Sequence, residues 1–183
     1  MRAEYENVLD DHLGKIHFTY VNTWDELLPA HWHEHLEIIY VLGGEITASI
    51  NDVSSELEKG DIFLVNSNDS HYTYTHEDAR YYLLQIPPVH LERISAKWKG
   101  LKFQELIRSK SADACVQGEQ LENVQGKGLV EMRENRKSTN RADDLYDQLR
   151  DVFRKIAGFY EEKKEGYHLL VLSAVYRLLY FLY

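Results

Sequence analysis

Between Lys15 and Ile86, turn signals cut the chain into short runs rich in β-branched and aromatic residues, and none of these runs repeats with a helical period. Lys15 to Val21 contains Ile-His-Phe-Thr-Tyr-Val, a composition that suits a pleated strand. Pro29 is expected to turn the chain. His31 to Leu42 then has no Gly or Pro until Gly43-Gly44, the length of one strand. Ile46, Ala48 and Ile50 alternate with Glu45, Thr47 and Ser49, Asn51-Asp52 offers a turn, and Val53 to Glu58 completes a hairpin. After the turn Lys59-Gly60-Asp61 come the apolar strand Ile62 to Val65, the polar turn Asn66 to Ser70, and strands His71 to Thr75 and Arg80 to Ile86. Short strands with turn signals roughly every ten residues predict an all-β sandwich or barrel.

Beyond Pro87-Pro88 the pattern changes. Val89 to Ile94 reads as a short helix with prolines at its start. Residues 101–142 are charged and weakly periodic, and no element is assigned to them. From Asp143 the period is helical: Leu145, Leu149, Val152, Ile156 and Phe159 fall on one face, with Asp143 or Asp144 as the cap. That stripe suits either an intrachain core or a dimer seam, since its spacing is also that of coiled-coil packing. The basic residues Arg133, Arg136, Lys137 and Arg141 are interleaved with acids, which predicts a solvated loop. Gly166 breaks the helix, and His168 to Tyr183 forms a second one so apolar that nearly every side must be covered. It is shorter than the roughly twenty residues a membrane span needs. The expected organisation is a barrel with an N-terminal arm over 1–100, a connecting segment over 101–142 and a helical annex over 143–183. No stop signal follows Phe181-Leu182-Tyr183, so the natural chain is expected to continue.

With 183 residues, 44% of them hydrophobic, the chain can bury one substantial core. A net charge of -9 argues against unaided binding to a phosphate backbone. Cys115 is the only cysteine, and no charged segment followed by an apolar one opens the sequence, so a cytoplasmic location is expected.

The candidate site is His-Trp-His-Glu-His-Leu-Glu, residues 31 to 37. On one continuous strand His31, His33, His35 and Glu37 share a face, and Ile39 and Val41 extend it. A further histidine, His71, opens a strand that can lie beside the first. Imidazoles with a carboxylate suit a divalent metal such as Zn, Fe, Mn or Ni, and equally suit hydrogen bonding to a polyhydroxylated ligand. Trp24, Trp32 and the tyrosines at 72, 74, 81 and 82 are aromatic surfaces able either to stack on a sugar ring or to pack within the sheet. Trp24 is the first of these as a ligand contact, because it precedes the histidine strand.

The segment His-Trp-His-Glu-His-Leu-Glu-Ile-Ile-Tyr-Val-Leu-Gly-Gly, with Lys-Gly-Asp-Ile-Phe-Leu-Val-Asn and His71, resembles the sensor domain of AraC-type transcription regulators, and the helices after residue 143 strengthen the resemblance. The resemblance implies a mainly β fold, a cupin-type (double-stranded β-helix) barrel followed by a C-terminal antiparallel α-helix pair. It implies a small-molecule effector, plausibly a sugar, bound by Trp24, His31, His33, His35, Glu37 and His71, with a metal at His31, His33, Glu37 and His71 as an option and no cofactor required. It also implies a homodimer through Leu145, Leu149, Val152, Ile156 and Phe159, no catalytic residues, and DNA contact only through a helix-turn-helix domain beyond this sequence. The competing expectation is a metal-dependent cupin enzyme, an oxygenase or isomerase. Cupins often carry proline where this chain has Asn66 and glycine where it has Asn68, so the turn leading to His71 has its own chemistry.

Overall fold

The computed structural model describes residues 3–8, 15–108 and 131–183, with only the backbone considered for 131–143. The strands are β1 (Glu4–Tyr5), β2 (His17–Thr23), β3 (Glu26–Trp32), β4 (Leu36–Gly43), β5 (Ile46–Ile50), β6 (Val53–Leu57), β7 (Ile62–Val65), β8 (His71–Thr75), β9 (Ala79–Ile86) and β10 (Leu106–Ile107). The helices are α1 (Pro88–Glu92), a 3-10 turn at Trp98–Gly100, α2 (Glu131–Glu162) and α3 (Tyr167–Leu182).

The strands form two five-stranded sheets, ordered β1-β3-β8-β5-β6 and β10-β7-β4-β9-β2. Pairing is antiparallel except for β1 on β3. Among the described residues no ladder joins the two sheets, so the expected barrel is an open pair of sheets rather than a closed cylinder.

Period two along β4 decides the layering. Ile39 and Val41 point between the sheets and meet Ile46, Ala48, Ile50 and Leu57 in one buried cluster. Ile38 and Tyr40 point the other way and join Phe18, Ile62, Leu64 and Leu84 against the helices. The second sheet is therefore buried on both faces, which explains why β4 reads as a nearly continuous apolar run.

Three sequence expectations change. Pro29 does not end a strand; it lies within β3, where the pairing with β8 shifts register between Leu28 and His31. A residue with no N–H fits where the ladder is already interrupted. His31 to Leu42 is not one strand, because the chain leaves β3 at Trp32, bends over residues 33–35 and enters β4 in the other sheet. The bend is held by Asn68, whose N–H donates to the His33 carbonyl at 2.9 Å. Asp143 and Asp144 do not cap a helix, since α2 already begins at Glu131. The Leu145, Leu149, Val152, Ile156 and Phe159 stripe packs largely within the chain. Leu149, Val152 and Ile156 are buried in the layer against the second sheet, and Leu145 and Phe159 pack on its margin.

Gly166 stands at φ 78° before α3, as expected of the helix break. Of the segment 101–142, residues 101–108 add β10 to the second sheet and 131–142 are helical backbone rather than the expected loop. Cys115 and the side chains of Arg133, Arg136, Lys137 and Arg141 lie outside the described residues. Among the described residues, no helix is long and apolar enough to cross a membrane.

Candidate functional site

His31 is the penultimate residue of β3 and stands opposite His71, the first residue of β8. His33 lies in the bend, and Glu37 is the second residue of β4. Three strands and the bend thus deliver four groups to one place. The ligand-capable nitrogens of His31, His33 and His71 lie within 4.8 Å of one another. Glu37 Oε2 is 3.0 Å from His33 Nε2, and Glu37 Oε1 is 3.7 Å from His71 Nε2. His33, Glu37 and His71 are all at least nine-tenths buried.

The rings are oriented by backbone. Nδ1 of His31 lies 2.8 Å from the Pro29 carbonyl, Nδ1 of His33 is 3.2 Å from that of His35, and Nδ1 of His71 is 3.0 Å from that of Asp69. A carbonyl can only accept, so each Nδ1 carries a proton and each Nε2 faces the site; His33 Nε2, 3.0 Å from the Glu37 carboxylate, carries a second proton in the metal-free protein. The bulge at Pro29 and the turn at Asn66 to Ser70 therefore set the tautomers. Asn68 adopts φ 66°, the left-handed conformation expected of a residue standing where glycine is usual. Asn66 does what proline cannot: its side-chain amide donates to the Phe103 carbonyl and accepts from the Phe103 N–H, tying the turn to the segment that leads into β10.

Burial alone would raise the Glu37 carboxyl, but hydrogen bonds from His33 and Gln85 and the positive charge of the imidazoles hold it at about 2. His33 is raised because the Glu37 hydrogen bond and charge together outweigh desolvation, whereas His71 is lowered chiefly by desolvation. Tyr81, buried beside Glu37, is pushed up to about 12, mainly by burial.

Two groups that sequence reasoning missed complete the site. Gln85 Nε2 donates to Glu37 Oε2 at 2.9 Å, across the β4–β9 register that pairs the two residues. Its signal was present in the alternation Tyr81, Leu83, Gln85, a polar residue ending an inward face. Glu6, just past β1, has its Oε2 at 3.7 Å from His31 Nε2 and 3.8 Å from His33 Nε2. Nothing in the sequence points to it, because the pairing of β1 on β3 is a long-range event.

Two expected contacts do not join. Trp24 is 68% exposed at the β2–β3 turn, beside the Glu26–Thr75 end of the ladder, while His31 and His71 pair at the other end. The intervening strand spans on the order of 20 Å. His35 is the last residue of the bend and lies outside the three-histidine group; it packs its ring against His33 at 5.9 Å between centroids. Of the tyrosines, Tyr81 faces the site, whereas Tyr82 stacks on Phe18 on the helix side of its sheet.

The inner cavity holds about 40 Å³ and is lined by Glu6, Leu28, His31, Glu37, Thr73, Tyr81 and Gln85 among others. Outside it a hollow of about 420 Å³ is lined by Glu4, Tyr5, Glu6, Leu28, Pro29, Ala30 and His31. Glu6, Leu28 and His31 are the wall between the two. A cleft of about 580 Å³ between the second sheet and α2 includes Tyr40, Tyr146 and Arg150 but none of the histidines.

The donor set fits a divalent ion. Three Nε2 atoms converge with carboxylates beside them, and neither His71 Nε2 nor Glu6 Oε2 makes a hydrogen bond among the described residues although both atoms are buried.

Solved structures similar to the chain include an RmlC-like cupin from Shewanella frigidimarina, with 20% identity, a TM-score of 0.38, and coverage of 39% of this chain and 66% of that one. A predicted oxalate decarboxylase from Thermotoga maritima has 23% identity and a TM-score of 0.36, covering 38% of this chain and 64% of that one. KdgF from Halomonas sp. has 23% identity and a TM-score of 0.37, with 39% and 68% covered. The chain thus spans just under two thirds of the length of the first two. No curated protein matches the sequence. The model of the AraC-like ligand binding domain matches residues 14–179, most of the chain, and the protein belongs to that family.

Proposed function

We propose that this chain is the effector-sensing and dimerisation part of an AraC-type transcription regulator, and that it binds a small polar ligand, a sugar or sugar derivative. The observation that carries the reading is the shared wall of Glu6, Leu28 and His31 between the outer hollow and the polar cavity. The cavity alone is far below the roughly 300–1,000 Å³ of pockets that hold organic ligands, while the outer hollow falls within that range. A ligand seated in the hollow meets His31 and the backbone and carboxylates of the arm. It moves the arm between paired and released states only through unequal affinity for the two. DNA contact belongs to an attached domain, because a net charge of -9 argues against unaided binding to a phosphate backbone.

The test is a thermal-shift titration with a panel of monosaccharides and sugar acids in a chelating buffer. The expected result is a saturable rise in Tm with one class of compound that is lost in His31→Ala. A flat response across the panel would remove the sugar reading.

The convergence of three Nε2 atoms favours a second reading, a metal-dependent cupin enzyme held by His31, His33, Glu37 and His71. A bound ion there supplies Lewis-acid polarisation. Turnover that requires added metal would favour it over the sensor.

A further inference from the structure

The arm brings a carboxylate to the histidines that a strand this short, with both residues exposed, does not need for its own packing. β1 has only Glu4 and Tyr5, paired in parallel with His31 and Trp32. Glu6 continues the ladder by donating its N–H to the Trp32 carbonyl at 2.9 Å, and Tyr5 packs edge-on against Trp32. This pairing places Glu6 Oε2 in the cavity wall. The oxygen is buried without a hydrogen bond, although the Glu6 side chain as a whole is 37% exposed. A buried carboxylate oxygen left unpaired is costly unless something positive stands beside it.

The two carboxylates at the site differ in kind. Glu37 Oε2 already accepts from His33 and Gln85. Glu6 Oε2 accepts from nothing and lies 3.7 and 3.8 Å from His31 and His33 Nε2. Ligands held about 2.0–2.2 Å from a tetrahedral zinc ion stand roughly 3.3–3.6 Å apart, so Glu6 is within a few tenths of an ångström of that spacing. His71 Nε2, the other unpartnered atom, supplies the third nitrogen.

We propose that Glu6 is the closing ligand of a divalent-cation site formed with His31, His33 and His71, and that the cation latches the N-terminal strand onto β3. The cation displaces the proton from His33 Nε2, so Glu37 then stands beside the site, held by Gln85 and balancing the charge, while the His35 carbonyl orients His33 through Nδ1. The inference extends the sensor reading by naming what holds the arm. Coupling runs both ways: whatever factor the docked arm adds to cation affinity, the cation adds to arm docking. An effector in the outer hollow, sharing the Glu6 wall, acts on the same equilibrium.

The experiment pairs calorimetric titration of zinc chloride into untagged protein with hydrogen exchange of the segment carrying the Glu6 amide. Expected are binding near one equivalent and zinc-dependent slowing of exchange in that segment of about tenfold or more. Glu6→Gln is expected to weaken zinc binding at least about tenfold and to abolish the zinc-dependent slowing, while its Tm in chelator matches wild type. Unchanged affinity and slowing in Glu6→Gln would overturn the proposal and leave Glu37 as the carboxylate ligand. Absence of zinc binding in wild type would overturn it as well. The sugar titration in chelator is independent of both outcomes, so the two ideas fail separately.

Discussion

Glu37 is the most strongly perturbed acid described in the chain, and its environment has a measurable consequence. Its folded pKa of about 2 lies below the ordinary 4.5, so its contribution to stability is complete above 4.5 and is lost as pH falls toward 2. In metal-free protein, urea unfolding of wild type and Glu37→Gln should differ most above that window and converge within it, by on the order of 3 kcal/mol. A difference that does not change with pH would mean that the carboxylate is not charged against His33. The raised His33 is the same interaction seen from its partner, and it counts once. At the neighbouring turn, Asn66→Ala removes both hydrogen bonds to Phe103. A loss of about 1–3 kcal/mol is expected, with faster amide exchange at Phe103. Asn68 was readable in advance, because its residue type alone tolerates left-handed backbone. The role of Asn66 was not, because its partner is 37 residues away.

Among elements, α2 shows how one pattern serves two readings. Its apolar period is the same whether the face meets a sheet or a second helix, and only packing chooses. Phe153 is fully buried and lies 5.5 Å from the ring of Tyr40 on β4, so Phe153→Ala should cost about 3–5 kcal/mol in chemical denaturation. The exposed Lys155→Ala on the same helix should stay within about 0.5 kcal/mol. Equal effects at the two positions would mean that the helix is not docked on the sheet. β3 and β4 make the complementary point. Alternation along 31 to 41 correctly placed Glu37, Ile39 and Val41 on one face. It could not place His35 with them, because the bend at 33–35 resets the phase of the side chains.

For the whole molecule, the apolar residues left exposed on α3 offer a face for the proposed dimer. Leu169, Leu170, Tyr180 and Tyr183 are exposed on or just beyond α3, with Tyr180 77% and Leu169 62% accessible. We propose this face as the seam. Sedimentation of wild type should then show a dimer, which Leu169→Glu with Tyr180→Glu converts to a folded monomer. A wild-type monomer at micromolar concentration would dispose of the seam.

The sequence alone was enough for the strand-rich first half, the helices that follow, and a polar site built from His31, His33, Glu37 and His71. Those features are local or periodic, and alternation and turn chemistry write them into neighbouring residues. Tertiary structure alone decided that the sheets stay open, that Trp24 stands at the end of β3 away from His31, and that Leu149, Val152 and Ile156 of α2 face the second sheet. It also brought Gln85 and Glu6 to the histidines. Each of these depends on which distant strands pair, and in what register. That choice is made by burial summed over the whole chain, so no short stretch of residues reports it.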